Sequence, residues 1–232
     1  MSWLSRLLRP PVLDEGQRAA IAAYRRLVAP EGGTPLKTIR FVVADVETSG
    51  LNPSRDRLIS IGAVTADSGR VQLGRSFEVV LRQDVPSDIS NILIHEIDGT
   101  TQMSGAEPAQ ALTQFLAFVG KAPLVGYHAA FDNLVISRAT ERFLGLRLQN
   151  RWLDLAVLAP ALLREQAPRS GSLDDWLAIY GIDNYARHDA VADALATAEL
   201  LLIVLAAARD KGRERLAELI DLEQGERWLG TR

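Results

Sequence analysis

Three stretches between residues 39 and 81 concentrate apolar residues in the way expected for β-strands. The first, 39–46, contains the uninterrupted apolar run 41–44, which is typical of a strand buried on both faces. Short connections rich in turn residues lead from it to 58–65 and then to 71–81, and such connections favour an antiparallel meander. Two shorter segments, 124–127 and 152–153, are further strand candidates.

Apolar residues recur at helical spacing in much of the remaining chain. Helices are predicted over 14–29, 108–119, 131–143, 154–163 and 173–180, and a long final helix begins near 188. In the first of these, Asp14 is the expected cap, and Ile21, Tyr24, Leu27 and Val28 share one stripe. Residues 1–12 and 82–105 are predicted to be irregular. A meander followed by alternating helices and strands predicts an α/β fold, with a mixed sheet of antiparallel and then parallel strands and with helices on both faces.

The segment 30–35, Pro-Glu-Gly-Gly-Thr-Pro, is a cluster of helix-breaking residues. We therefore predict three parts: an N-terminal helical extension over 1–35, a main domain over 36–210 and a charged, helical C-terminal tail over 211–232. The extension is expected to pack on the main domain as an accessory helix, and docking of a partner is the alternative.

Composition narrows the chemistry that the chain can perform. None of the 232 residues is cysteine, which excludes disulfides and thiolate metal sites and leaves carboxylate and imidazole groups as side-chain ligands. Oxygen ligands favour hard ions such as Mg²⁺ or Mn²⁺. The formal net charge of −3 argues against a protein that coats a nucleic-acid duplex, but it allows metal-assisted contact with a phosphate backbone.

Neither the first ten residues nor the most apolar segment predicts a membrane protein. The first ten residues have no apolar core and no small-residue cleavage site, so no signal peptide is predicted. The apolar segment 190–208 is interrupted by Asp193 and Glu199, and it fits a helix of the protein interior better than a membrane span. We therefore expect a cytoplasmic protein without membrane contact.

Two carboxylates, Asp45 and Glu47, stand where the first predicted strand ends. Side chains at i and i+2 of a strand point the same way, so both acids project to one side. Two neighbouring anions at the edge of a core are costly unless a positive charge compensates them, and a divalent metal ion is the usual compensator. A solvated strand end is the alternative interpretation of this pair by itself.

Two further acidic sites occur downstream. Asp132 falls in the opening turn of a predicted helix, where the helix dipole favours an acid whatever its function, so capping is the alternative to a functional role. Asp193 lies on an Ala- and Leu-rich helix face, where an unpaired acid is expensive. His188 lies five residues earlier and converges with Asp193 only if it stands in the loop before the helix, an arrangement that fits Asp189 as the N-cap.

Taken in order, Asp-x-Glu at a strand end, Phe-Asp at a helix start and His-x4-Asp at a late helix resemble the DEDDh 3′–5′ exonucleases. This DnaQ-like superfamily includes the proofreading epsilon subunit of bacterial DNA polymerase III. The resemblance covers about residues 39–205, and all five signature positions are filled. The segment 59–64, Ile-Ser-Ile-Gly-Ala-Val, is closer to the epsilon-like branch than to RNase T or oligoribonuclease.

Three departures from the family pattern bear on substrate binding and leave the metal ligands intact. Glu96 replaces the glycine of the family's His-Gly-Ile stretch, which resembles 94–97 of this chain. Tyr127-His128 stands where a His-Asn pair is common, and Ser49 stands where a second threonine is common.

The resemblance implies an RNase H-like fold and phosphodiester hydrolysis by two divalent ions, Mg²⁺ or Mn²⁺, roughly 3.5–4 Å apart. The four implied metal ligands are Asp45, Glu47, Asp132 and Asp193. Asp45 is expected to bridge the ions, and His188 is expected to take the proton from the attacking water. The residues implied at the 3′ nucleotide are Thr48, Ser49, Gly50, Leu51, His95 and His128. A core or surface role is the alternative for His95, and a structural role is the alternative for His128.

Other charged residues near these motifs have simpler interpretations. Asp154, Asp174 and Asp175 are interpreted as helix caps because each stands at the start of a predicted helix. Arg187 is expected either to touch phosphate or to be solvated.

The leading hypothesis is a metal-dependent exonuclease that removes nucleotides from single-stranded or frayed 3′ ends of DNA. The same site could instead trim RNA, and a protein of another class, a proofreading or assembly subunit, would act mainly by binding a polymerase. No clamp-binding peptide is evident in 210–232, which favours a free-standing nuclease. A non-catalytic binding module would leave the five site residues unexplained.

Overall fold

In the computed structural model, which describes residues 11–230, five strands form one mixed sheet. The strands are β1 (Phe41–Thr48), β2 (Leu58–Asp67), β3 (Arg70–Val80), β4 (Leu124–Gly126) and β5 (Trp152–Asp154). Their order across the sheet is β3-β2-β1-β4-β5. The first three strands pair antiparallel, whereas β4 runs parallel to β1 and β5 runs parallel to β4. The predicted meander followed by parallel strands is therefore confirmed.

Helices cover both faces of this sheet. They are α1 (Glu15–Arg26), α2 (Ile89–His95), α3 (Gly99–Ser104), α4 (Pro108–Val119), α5 (Ala130–Leu144), α6 (Leu155–Leu162), α7 (Leu173–Tyr180), α8 (Ala190–Asp210) and α9 (Leu216–Gly230). One hydrophobic core joins the sheet to α6, α7, α8 and α9, and a second core on the opposite face joins it to α1, α4 and α5. The predicted α/β class is confirmed.

Alternation along β1 decides what each face of the sheet carries. Its apolar side chains alternate between the two cores: Val42, Ala44 and Val46 enter one, and Phe41 and Val43 enter the other. Because the period of a strand is two residues, Asp45 and Glu47 continue the series of Phe41 and Val43. Both acids therefore lie on the face that α8 covers.

The start of α8 lies directly on the sheet because Gly62 in β2 has no side chain. A Cβ atom at Gly62 would lie 2.1 Å from the carbonyl carbon of Ala190 and 2.3 Å from the amide nitrogen of Val191. Gly62 is also the partner of Asp45 in the β1–β2 ladder. This close backbone approach brings the first turn of α8 beside the acidic end of β1.

Among the described residues, α8 is the helix that is long and apolar enough to cross a membrane, with a mean hydropathy of 2.0. It packs instead against β1, β2, β3 and α6, and more than half of its most apolar window is buried inside the protein. A buried helix between a sheet and other helices has the composition of a membrane span for the same physical reason, namely that it has little contact with water.

The segment 82–105, which is predicted to be irregular, contains two helices, α2 and α3, so that prediction is wrong. Gln102 on α3 is fully buried and holds the region together. Its Nε2 atom donates to the Oγ atom of Ser87 at 2.9 Å and to the carbonyl oxygen of Ile97 at 2.8 Å. Helices of six or seven residues are too short to show apolar periodicity, and tertiary contacts rather than local sequence stabilise them.

The N-terminal helix α1 packs against α4. Asp14 begins it with a capping box, and Tyr24 is buried. The helix ends at Arg26 rather than at the predicted position 29. As a consequence, Leu27 and Val28 are exposed and do not belong to the buried stripe predicted for this helix.

At the other end of the chain, α9 forms within the segment predicted as a charged tail, and its Leu216 is buried in the same core as α8. The start of α9 and the residues just before it bond to the segment that precedes β1: Leu36 N donates to Glu214 O at 2.8 Å, and Ala217 N donates to Gly32 O at 2.8 Å. Both flanking segments thus pack on the central unit. The predictions for residues 1–10, an irregular start without a signal peptide, lie outside the described residues.

Replacing Gly62 by alanine should lower the free energy of unfolding by about 3 kcal/mol, because the new methyl group overlaps backbone atoms that cannot move without displacing α8. Urea denaturation measures the change. Gly74→Ala in β3 is the matched control, since a Cβ atom there meets nothing within 4 Å, and it should stay within about 0.5 kcal/mol of wild type. Equal losses in the two variants would contradict the close contact between β2 and α8.

Candidate active site

The C-terminal half of β1 carries the first two acids of the site. Asp45 lies opposite Gly62, and Glu47 lies opposite Ser60, in the antiparallel ladder with β2. Both side chains are partly buried. As the strand period predicts, both carboxylates lie on the same face of the sheet, toward the start of α8.

Asp132 approaches the same place from the neighbouring parallel strand. β4 ends at Gly126, and a turn through His128 leads into α5, whose first turn contains Asp132. Asp132 is only 4% exposed. A Cβ atom on Gly126 would lie 3.3 Å from the Oδ2 atom of Asp132. Glycine at this strand end therefore leaves room for the carboxylate.

The start of α8 supplies Asp193 and His188. Asp189 is the N-cap, and its Oδ1 atom accepts hydrogen bonds from two backbone N–H groups of the first turn, so His188 lies in the loop before the helix. The backbone N–H of His188 donates to the Oδ2 atom of Asp193 at 3.0 Å. One potential ligand atom from each of His188, Asp193 and Glu47 lies within 4.8 Å of the other two. The sequence predicts that His188 converges with Asp193 only if His188 lies in the loop before the helix, and His188 does lie there.

Arg187 lies directly against this acidic cluster. Its Nη1 atom donates to both carboxylate oxygens of Asp193 at 2.6 Å, and its Nε atom lies 2.8 Å from the Oδ1 atom of Asp174. Asn184 donates another hydrogen bond to Asp193. The sequence offers no signal for these partners, because their proximity depends on the path of the loop before α8 and not on any periodic pattern.

Burial, together with repulsion from neighbouring acids, raises the pKa values of Asp45, Glu47 and Asp132. Burial, followed by the charges of Asp132 and Asp193, raises the pKa of Asp45 well above its usual range. Burial and the charge of Asp193 raise the pKa of Glu47 to about 8. Burial likewise raises the pKa of Asp132, although backbone hydrogen bonds partly offset it. Groups of acids perturbed in this way are typical of functional sites.

The donor set suits hard divalent cations. The four carboxylates offer only oxygen atoms, and Mg²⁺ and Mn²⁺ prefer such ligands. Bound cations would favour the ionised forms and so lower each of the raised pKa values. The chemistry of these side chains therefore fits the kind of metal site that the resemblance implies.

The family model described as Exonuclease (RNase_T) matches residues 42–201, a range that includes every acid of the cluster and His188. The chain belongs to this exonuclease family. It is 32% identical over 182 residues to the DNA polymerase III subunit epsilon-like protein of Rhodobacter capsulatus, in an alignment that covers 77% of this chain and 25% of that protein. It is 30% identical over 186 residues to the PolC-type DNA polymerase III of Thermotoga petrophila, covering 79% of this chain and 13% of that protein.

The resemblance to DnaQ-like DEDDh exonucleases is thus confirmed. This chain spans a quarter or less of the length of these two relatives. Solved structures of similar fold include E. coli Exonuclease I in complex with a dT13 oligonucleotide, with a TM-score of 0.62 and 21% identity. That match covers 75% of this chain and 42% of Exonuclease I. It confirms the RNase H-like fold of this exonuclease unit.

Four of the residues predicted at the 3′ nucleotide, Thr48 to Leu51, lie at the end of β1 or in the connection that follows it. The Oγ1 atom of Thr48 donates to the carbonyl oxygen of Gly50 at 2.7 Å, and the Oγ atom of Ser49 accepts from the backbone N–H of Arg57 at 2.9 Å. Leu51 is 92% exposed beside an open groove formed mainly by the β1–β2 connection. The exposed side chain of Leu51 is therefore accessible to a nucleobase. A contact between Leu51 and a base stays a prediction.

The two remaining histidines have different surroundings. His95 is buried; its Nδ1 atom accepts from Ile97 N at 3.0 Å, and its Nε2 atom lies 3.1 Å from the Oδ1 atom of Asn91. This network gives His95 the core role that the sequence leaves as the alternative, and its contact with substrate stays a prediction. His128 is exposed and meets Tyr127 edge-on, with ring centroids 5.0 Å apart.

The acids interpreted as helix caps divide into two groups. Asp154 does cap α6, because its Oδ1 atom accepts from Ala156 N at 3.0 Å. The interpretation of Asp174 and Asp175 is wrong, because both lie within the first turn of α7 and Ser172 is the cap. Three polar residues within one turn of a helix start are all capable of capping, so spacing does not distinguish them.

In the presence of a chelator, the free energy of unfolding should fall between about pH 5 and pH 8, partly because of Glu47. A carboxylate whose pKa is raised by folding, here to about 8, contributes stability that is fully present below its unfolded pKa and is lost as the pH rises through the folded value. Urea denaturation in EDTA at pH 5 and pH 8 should therefore show a smaller fall for Glu47→Gln than for wild type.

Glu78→Gln, on the exposed edge strand β3, is the control and should keep the wild-type pH dependence. Parallel pH curves for wild type and Glu47→Gln would contradict the raised pKa of Glu47.

Proposed function

We propose that this exonuclease domain hydrolyses phosphodiester bonds at the 3′ end of DNA and releases nucleoside monophosphates, with two divalent ions as cofactors. The observation that supports it most is the convergence of four carboxylates and His188 from three separated parts of the chain. The four acids are Asp45, Glu47, Asp132 and Asp193. Acids gathered in this way destabilise one another and so weaken the fold, which argues for a role in binding cations.

The four carboxylates would hold Mg²⁺ or Mn²⁺, and we propose Asp45 as the residue that contacts both ions. When bound, such ions activate a water molecule and relieve negative charge on the phosphate and the leaving 3′ oxygen. Arg187 would have to share Asp193 with a bound cation, because it donates to both oxygens of that carboxylate. Its second partner, Asp174 at 2.8 Å, lets it release Asp193 without becoming unpaired.

His188 is the proposed general base. An imidazole titrates near neutrality and can take a proton from the attacking water. His188 is exposed and held in a left-handed backbone conformation, with φ of 64°, next to the hydrogen bond that its N–H makes with Asp193. Glu47 and Asp193 approach it within 4.8 Å. Their negative charges would stabilise the imidazolium that forms when the proton is taken.

We propose that the backbone around Thr48, Ser49 and Gly50 binds the terminal nucleotide while Leu51 packs on its base. His95 and His128 are proposed to lie along the same nucleotide. Single-stranded or frayed ends are the proposed substrates, because base pairing would keep a terminal base from packing on Leu51.

A polymerase partner is a second proposal, and the names of the two relatives support it, since both names refer to DNA polymerase III. In that setting the exonuclease would remove misincorporated nucleotides. RNA is the alternative substrate, because the carboxylate site by itself does not distinguish the two sugars. We propose a cytoplasmic location without membrane contact, which the packing of α8 in the protein interior supports.

Incubation with 5′-labelled single-stranded DNA should produce a ladder of shortened products in Mg²⁺ or Mn²⁺ and none in EDTA. A 3′-labelled strand should release labelled mononucleotide at once, which establishes polarity. RNA oligonucleotides of the same sequence measure the preference between sugars. Asp45→Asn is the control for a contaminating nuclease and should be inactive. Cleavage of neither polymer, in a preparation that binds Mn²⁺, would contradict the proposal.

His188→Ala should lower kcat by about 100-fold to 10,000-fold, the usual contribution of a general base. Its affinity for Mn²⁺, measured by titration with electron paramagnetic resonance, should stay close to wild type. Asp45→Asn should instead lose Mn²⁺ affinity. Near-normal turnover in His188→Ala would exclude the base role, and a loss of Mn²⁺ affinity equal to that of Asp45→Asn would make His188 a ligand.

A further inference from the structure

Asp154 connects the end of β5 to the turn that precedes Asp132. It lies opposite Gly126 in the parallel β4–β5 pair, and its side chain is only 4% exposed. The Oδ1 atom accepts from Ala156 N at 3.0 Å, as the cap of α6, and also from the backbone N–H of His128 at 2.9 Å. One oxygen of a buried carboxylate thus holds the start of a helix and the turn after the neighbouring strand.

The turn at His128 has a strained backbone conformation that other contacts must stabilise. His128 has a φ of 60°, a left-handed backbone that few residues other than glycine adopt. The carbonyl oxygen of His128 then accepts from Phe131 N at 3.0 Å as α5 begins. Asp132 is the next residue, so the conformation of this turn sets the direction in which the Asp132 carboxylate points toward β1.

The other oxygen of Asp154 is bound from the far end of the chain. Arg227 on α9 donates from Nη2 to the Oδ2 atom of Asp154 at 2.8 Å, and its Nε and Nη2 atoms also donate to Glu223 at 3.1 and 2.9 Å. A buried carboxylate whose cationic partner is removed is left with an uncompensated charge, and the surrounding structure shifts to expose or neutralise it. The hydrogen bond that the His128 N–H donates to Asp154 depends on this same carboxylate.

We propose that Arg227 is a positioning residue of the exonuclease site: it holds Asp154, which fixes the left-handed turn at His128 and thereby aims Asp132. The C-terminal helix α9 is then part of the functional unit and does more than cover the core. This inference rests on the proposed role of Asp132 as a metal ligand. Residues that orient ligands in this indirect way typically change metal affinity or activity by about 10-fold to 100-fold when replaced.

The test compares Arg227→Gln with wild type in Mn²⁺ affinity, kcat and KM. Arg227→Gln should weaken Mn²⁺ binding and lower kcat by about 10-fold or more, with little change in the KM for a DNA oligonucleotide. Arg227→Lys keeps the charge and should recover part of the loss. The double variant Arg227→Gln with Asp154→Asn should recover further, because an asparagine still accepts from the His128 N–H and leaves no buried charge unpaired.

The matched control is Arg164→Gln. Arg164 also anchors α9, through Glu226 at 2.8 Å, but this ion pair does not involve Asp154. If Arg227 only docked the helix, both variants would lose thermal stability and Mn²⁺ affinity in the same proportion, and that result would overturn the proposal. Unchanged Mn²⁺ affinity and kcat in Arg227→Gln would overturn it as well.

The Mn²⁺ readout separates this proposal from the proposed function. A wild-type protein that binds Mn²⁺ and cleaves neither DNA nor RNA would contradict the nuclease function. The difference in Mn²⁺ affinity between Arg227→Gln and Arg164→Gln would still decide whether Arg227 positions Asp132.

Discussion

The contact between the backbone of Gly62 and the backbone of Ala190 is the constraint on which the site depends. Because β2 presents no side chain there, the first turn of α8 lies on the sheet beside Asp45, the residue paired with Gly62. Any larger residue would lift the start of the helix and carry Asp193 away from β1. A position with no side chain therefore controls the distance between two acids that are far apart in the sequence.

The arrangement that gathers the acids at one site also makes the fold less stable. Each acid raises the cost of burying the others, and the resulting pKa values lie above the usual range for carboxylates. The fold limits this cost with cations of its own. Arg187 binds Asp193, and Arg227 binds Asp154 behind the turn that precedes Asp132. These two arginines come from a loop and from the last helix, so the electrostatic balance of the site draws on parts of the chain outside the signature motifs.

The pattern of apolar and polar residues is sufficient to predict those elements that depend mainly on residues close together in the sequence. The run 41–44, the short connections after it and the later helical periodicities predict the antiparallel meander and most helices, because burial imposes a period on each element. The pattern failed for α2 and α3, whose few residues are held by the buried amide of Gln102. It also failed at the start of α7, where Ser172 rather than Asp174 or Asp175 caps the helix, because several polar residues compete for one role.

The sequence by itself determined the identity of the acids, the strand and helices that carry them, and the family to which the chain belongs, since these depend on residue type and spacing. It also set the condition that His188 must precede α8. Only the tertiary structure decided that Arg187 binds Asp193 and that Arg227 on α9 binds Asp154. Such contacts join residues through the packing of separate elements, and no local periodicity encodes the distance between two elements that meet only when the chain is folded.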